Sequence, residues 1–369
     1  MKYICKIPGK LKWDDPSDLT QMIEEITKNK SQITSLELSH CSIGTECAKK
    51  LSEAISLCEN LTSVNYRDLF VSRLKEDLPI SLKYLMEAIS NKKINFLDLS
   101  DNAFGPTAIP SFEFFLRTCT HLENLELENN GLGPEGAEMV FNALLQNDKI
   151  KLKKLKINRN RLEEKGGSGL AKIIEKMKSF EHLECFQNGI STLAMKKIFL
   201  ALKENKNLKI LKINDNFTKT ALDDLIKIIP ELKCLKIIDI SDSITDSELG
   251  NKLGIEFFKA LSTLENLEEI YCNYNEIIDE DTHKEIFEIL KKIKNLKIVQ
   301  LKGNEIEKNL VKKYEKNINL EKLICFSDNE EEAEEEEEEE KEEKEKEKEN
   351  EKEKIDDLTK DIEKININK

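Results

Sequence analysis

An α/β fold, a solenoid with an inner parallel sheet and outer helices, is what this 369-residue sequence predicts. Two observations carry that reading. The first is a pattern, L-x-x-L-x-L-x-x-N-x-Φ with Φ apolar. It recurs from Ile33, Leu61, Ile94, Leu122, Leu152, Phe180, Leu208, Leu235, Leu267 and Leu296, at intervals of 27 to 33 residues. The second is a change of period inside each unit. FLDLSDNAF, residues 96–104, alternates apolar and polar side chains, as a strand with one buried face does. EGAEMVFNALL, residues 135–145, spaces its apolar residues as a helix does. A lone unit cannot cover its apolar side, so units must stack. Parallel strands backed by helices satisfy the right-handed crossover rule. The expected architecture is a leucine-rich-repeat horseshoe over residues 1–327, with about ten to eleven units and capping ends near 1–30 and 307–327.

Taken in order, the first unit carries Cys41 where the pattern has asparagine. The second is irregular. After Val64 it runs NYRDLFVSRLKEDLP, with Leu69 in the asparagine register and a long stretch before its helix. Long turns on the edge of a repeat array often form binding surfaces, and this one carries Arg73 and Lys75. Units three to seven hold Asn102, Asn130, Asn160, Asn188 and Asn216, the eighth has Ser243, and the last two hold Asn275 and Asn304. An amide there can satisfy backbone groups of the turn and of the adjacent unit, so these seven are read as a structural ladder.

The position just before the ladder is different. It holds His40, Asp68, Asp101, Asn129, Arg159, Gln187, Asp215, Asp242, Tyr274 and Gly303, polar for the most part but chemically unlike. These residues are expected along one rim, most of them as a solvated edge. In LELENNGLGP, residues 125–134, Asn130 belongs to the ladder, and Asn129 is the asparagine that the repeat pattern itself does not call for.

The charge divides unevenly. Residues 328–369 hold 22 acidic and 9 lysine side chains, net −13 of the chain's −14, which leaves the repeat body near −1. A near-neutral body is no obvious nucleic-acid binder. An acidic tail is repelled by nucleic acid and attracted to basic protein surfaces. Residues 328–354 are too poor in apolar side chains to order a core and are expected to be disordered. Residues 355–369 space Ile355, Leu358, Ile362 and Ile365 as a short amphipathic helix, marginal on its own and otherwise a disordered end. Nine scattered cysteines without a C-x-x-C pair suggest reduced thiols, some of them core residues, and no metal site. The start has no signal-like segment and no run is long enough to span a membrane, so a soluble protein of a reducing compartment is expected.

No catalytic set emerges. The four histidines, His40, His121, His182 and His283, fall at unrelated places in their units. GGSGLAK, beginning at Gly166, lacks the spacing of a phosphate-cradling loop and is read as structural. The body is a binding surface, and any catalysis would use a partner's machinery.

Several strings go further than the repeat. LDLSDNAFGP (residues 97–106), LENNGLGP (127–134), NRNRLE (158–163), QNGI (187–190) and RDLFVSRLKEDLP (67–79), with the acidic stretch after the last unit, resemble the Ran GTPase-activating proteins. The resemblance implies a regulator with no catalytic machinery of its own. It would stimulate GTP hydrolysis by the nuclear-transport GTPase Ran and so support nucleocytoplasmic transport. It implies binding of Ran in its GTP form, alone or with a Ran-binding protein, by the concave face and one rim. Catalysis would proceed without an inserted arginine, by orienting the GTPase's own glutamine. Asn129 matches the family asparagine near that glutamine. Arg73 and Lys75 match the second-repeat turn, and Arg159 and Arg161 match the paired arginines. Asp101, in the same rim position, joins them as a partner-binding residue. GTP and magnesium would belong to the partner. A monomer in the cytoplasm, extending to the perinuclear region, is the corresponding expectation. Two alternatives are an acidic leucine-rich nuclear protein that binds histones or phosphatases without GTPase-activating activity, and a ribonuclease-inhibitor-like scaffold.

Overall fold

A computed structural model describes residues 1–4, 12–315 and 320–326. The expected acidic tail, 328–354, and terminal segment, 355–369, lie outside the described residues.

Each unit contributes a three-residue strand whose middle side chain points into the core. Leu97, Leu125, Leu155, Leu183 and Leu211 lie in one register across adjacent parallel strands and are fully buried. Their neighbours in sequence face the concave side, which is why the pattern leaves them free. Strand order follows chain order through twelve parallel strands, from Lys2–Ile4 to Lys322–Ile324. The last of these carries the strand half of the pattern, Leu320-x-x-Leu323-x-Cys325, without a ladder asparagine after it.

Helices back the sheet, among them Thr45–Ser56, Asp77–Ile89, Gly133–Leu145, Glu163–Met177 and Ser247–Leu261. Local chemistry fixes some of their starts: Asp246 and Asp279 accept hydrogen bonds from the backbone N–H of Leu249 and Thr282. The glycines of GGSGLAK lie within the helix Glu163–Met177, where they permit close packing. A Cβ on Gly167 would come within 2.6 Å of Ile190, and one on Gly169 within 2.8 Å of Phe141. Seven of the eight described cysteines are buried. Cys185 and Cys272 occupy core positions, where burial pushes each thiol up to about 12.

At the N-terminal end, a helix, Thr20–Asn29, covers the first unit. A two-stranded sheet joins Lys12–Trp13 to Ser42–Ile43, and Trp13 is buried beneath it. No helix among the described residues is long and apolar enough to cross a membrane.

Candidate partner interface on the rim

Two rows of side chains run side by side where the strands turn toward the helices. In the inner row each asparagine amide ties its own unit to backbone of the unit before it. Asn130 Oδ1 accepts from the Asn102 N–H at 3.0 Å and its Nδ2 donates to the Leu99 carbonyl at 3.0 Å. Asn160 accepts from the Asn130 N–H and donates to Leu127, Ile157 and Asn158. Asn102, Asn188, Asn216, Asn275 and Asn304 repeat the arrangement. The next unit supplies the acceptor also where the register lacks asparagine: Asn102 Oδ1 takes the Leu69 N–H, Asn275 Oδ1 the Ser243 N–H, and the Asp68 carbonyl the Cys41 N–H.

The outer row corrects one expectation. The repeat does demand something of the position before the ladder, namely a left-handed backbone. His40, Asp68, Asp101, Asn129, Arg159, Gln187, Asp215, Asp242, Tyr274 and Gly303 all have φ between 50° and 65°. Glycine, asparagine and aspartate tolerate that conformation best, and they fill six of the ten places. Asn129 is thus compatible with the fold, not extraneous to it. In this unit left-handed residues follow again two and four places on, at Gly131 and Gly133 of LELENNGLGP, with φ 61° and 64°. Arg159 and Arg161 hold the equivalent of the first two such places in the next unit, at φ 56° and 54°. Arginine gains nothing from this backbone. Gln187 in the outer row and Glu163 two places after Arg161 accept the same backbone, at φ 53° each, so the conformation alone does not select arginine.

Side chains of the outer row meet across adjacent units. His40 Nδ1 lies 3.0 Å from Asp68, and Arg159 Nε donates to Gln187 Oε1 at 2.6 Å. Asn129 Nδ2 donates to Asp101 Oδ1 at 2.9 Å, and its Oδ1 has no partner among the described residues. Asp101 is therefore engaged within the chain, and its other oxygen takes a 2.6 Å ion pair from Arg67 Nη2. The guanidinium of Arg67 continues to Glu128 at 3.3 Å and Asp98 at 3.9 Å. Partial burial works against its charge, but Asp101, Asp98 and Glu128 outweigh that and hold it above its ordinary value. Sequence reasoning missed Arg67. It lies two residues past the strand Ser63–Asn65, in the turn, and faces acidic residues of the next two units that only the register of the strands brings to it.

The concave face beside this hub is a lattice of paired charges. Lys154 meets Glu126 at 2.7 Å. Glu184 lies between His182 at 2.5 Å and Lys156 at 3.5 Å. Burial opposes its ionisation, but the His182 hydrogen bond and the charges of Lys156 and Lys212 prevail and hold its carboxyl at about 2.

Arg73 is not where its position on an exposed turn suggests. Its side chain is only 11% exposed. It turns inward to the N-terminal cap, pairing with Asp14 and donating to the carbonyls of Trp13 at 3.0 Å and Ser42 at 2.5 Å. A Cβ on Gly44 would crowd it at 3.2 Å, so glycine there leaves room for the guanidinium. The outward face of the turn consists instead of Val71, Leu74, 68% exposed, and Lys75. Arg161 and Lys75 are exposed, while Arg73 and Asp101 are held by other residues of the chain. No group of histidine, cysteine and carboxylate side chains able to hold a metal ion occurs among the described residues.

A Leucine Rich repeat family model matches residues 31–52 and 118–141. The structure of Rad7 in complex with Elc1 from yeast superposes with a TM-score of 0.55 over 86% of this chain and 85% of that one, at 13% identity, a likeness of fold alone. The chain is 29% identical to Ran GTPase-activating protein 1 of Saccharomyces cerevisiae over 328 residues, 84% of this chain and 80% of the relative. It is 30% identical to the Ran GTPase-activating protein of Drosophila melanogaster and 32% identical to that of Xenopus laevis, over 54% and 49% of this chain. It spans about a third of the length of those two relatives, 35% and 33%.

Proposed function

We propose, from the premise that this chain belongs to the Ran GTPase-activating protein family, that it binds Ran in its GTP form and stimulates GTP hydrolysis. The chain contributes no nucleophile, base or metal of its own. It acts by orientation: the exposed amide of Asn129 holds the GTPase's own glutamine, which positions the attacking water. GTP and magnesium are carried by the partner. Lys75, Arg159 and Arg161 contact the partner on the same rim, and Arg73 supports the turn beside them. Such hydrolysis serves nucleocytoplasmic transport and belongs in the cytoplasm.

One observation supports this reading above the others. Asn129 presents an exposed amide at the rim with Nδ2 tied to Asp101 and Oδ1 without a partner among the described residues. An amide donates and accepts without a proton transfer, so it suits the fixing of another amide. Orientation of reacting groups can lower a barrier by about 7–11 kcal/mol in well-fixed cases, so a positioning residue is sufficient where the partner already carries the chemistry.

The test is single-turnover GTP hydrolysis by Ran with rising amounts of the chain, beside an unrelated small GTPase. Stimulation of Ran alone is expected. Equal stimulation of both GTPases, or of neither, refutes the reading.

A further inference from the structure

We infer that Arg67 and Asp101 are positioning residues for Asn129: the Arg67 guanidinium fixes the Asp101 carboxylate, which pins Nδ2 of the Asn129 amide and leaves Oδ1 facing outward. The inference rests on the functional reading above and deepens it.

Geometry carries the argument. The Asp101 carboxylate divides its two oxygens, one receiving Arg67 Nη2 at 2.6 Å and the other Asn129 Nδ2 at 2.9 Å. A carboxylate accepts only, so it selects the NH2 end of the amide and turns the carbonyl end away. Without it, the two ends of an exposed amide exchange places freely. Arg67 is itself fixed from the concave side by Glu128 and Asp98. Asp98 is buried, and its carboxylate takes the backbone N–H of Ser100 at 2.9 Å. Asn158 Nδ2 holds the other oxygen of Glu128 at 2.7 Å. The chain of contacts thus runs from buried groups of the sheet, through a half-buried arginine, to an exposed amide. A planar fork can bridge two carboxylates in this way, whereas a lysine ammonium is a point charge.

An amide held with its carbonyl outward offers an acceptor, so the group it meets on the partner must be a donor. The NH2 of a glutamine side chain fits. The carbonyl of that glutamine then remains free for a water.

Arg67→Met, Arg67→Lys and Asp101→Ala are the variants, alone and combined with Asn129→Gly. Glycine keeps the left-handed backbone at that position. At saturating concentration, Arg67→Met and Asp101→Ala should each lower single-turnover hydrolysis about tenfold, with the half-saturating concentration unchanged. Arg67→Lys should restore part of the loss. In the Asn129→Gly background neither change should lower the rate further, because the group they position is gone. A further loss in that background overturns the inference, as does a raised half-saturating concentration with the saturated rate intact.

A second measurement needs no partner. The Asn129 carboxamide signals in the nuclear magnetic resonance spectrum of the free, full-length chain are identified by their loss in Asn129→Gly. They should exchange with solvent several-fold faster in Arg67→Met and Asp101→Ala. Unchanged exchange overturns the inference even if the chain stimulates Ran. A chain that leaves GTP hydrolysis unaffected overturns the functional reading, and the carboxamide signals then decide the inference alone.

Discussion

The inner and outer rows of the rim share a backbone and part company at the side chains. The outer row continues the sheet's hydrogen bonding through its backbone, the N–H groups of Asp101 and Asn129 reaching the carbonyls of Glu128 and Asn158, each one unit further on, whereas the inner-row N–H groups of Asn102 and Asn130 reach the side chains of Asn130 and Asn160. In the inner row the side chain completes that backbone, and it is asparagine at seven of ten places. In the outer row the fold asks for a left-handed conformation and no particular side chain. Histidine, aspartate, asparagine, arginine, glutamine and tyrosine all comply. The difference teaches where variation is free. A buried amide is fixed by its bonds, whereas an exposed residue at positive φ is fixed in its backbone and open in its chemistry.

The largest effect expected is on the inner row. Asn130 is wholly buried, and Asn130→Ala removes the acceptor of the Asn102 N–H and the donor to the Leu99 carbonyl. Buried groups left unpaired cost about 1–3 kcal/mol. Thermal and urea melting should register that loss, with activity falling only in step with the folded fraction. A melting curve unchanged by Asn130→Ala would show that the ladder is decoration.

The outer row allows a sharper test, because backbone and side chain can be separated. Asn129→Ala loses the side chain and must also hold alanine at φ 51°, a penalty of about 1 kcal/mol. Asn129→Gly loses the same side chain without that penalty. Melting should therefore separate the two, with alanine lower and glycine near the parent. Hydrolysis at saturation should fall alike in both. If glycine restores hydrolysis, the backbone rather than the amide carries activity.

The horseshoe was legible because its two periods, two in the strands and about 3.6 in the helices, repeat in every unit and reinforce one another. The ladder was legible for the same reason. The left-handed outer row left a trace, since aspartate, asparagine and glycine fill most of it, but reading chemical variety as freedom from the fold hid that trace. Two placements were not legible. Arg73 is drawn inward by Asp14 and the carbonyl of Trp13, in a cap outside the repeat. Arg67 gains its role from Asp98, Asp101 and Glu128, 31 to 61 residues away in sequence, which only the register of the strands brings together.

The smallest effect separates the rows by charge. Asp215 and Asp242 occupy adjacent places in the outer row, and the Asp242 carboxyl lies above its ordinary value, through burial first and the charge of Asp215 second. The fold thus favours the protonated form of Asp242. That preference is fully present below the unfolded value of 3.8 and is lost as pH rises through the folded one, so at neutral pH the ionised carboxylate opposes folding. Asn suits the left-handed backbone as well as Asp does. Asp242→Asn should therefore raise stability at pH 7 by a few tenths of a kcal/mol, the scale of exposed charge pairs, and leave it unchanged near pH 3. Melting of both proteins at the two pH values decides the matter. A gain at both pH values would assign the effect to the amide rather than the charge. A loss at pH 7 would mean that this carboxylate is held by the fold as the ladder amides are, and the distinction between the rows would fail at this unit.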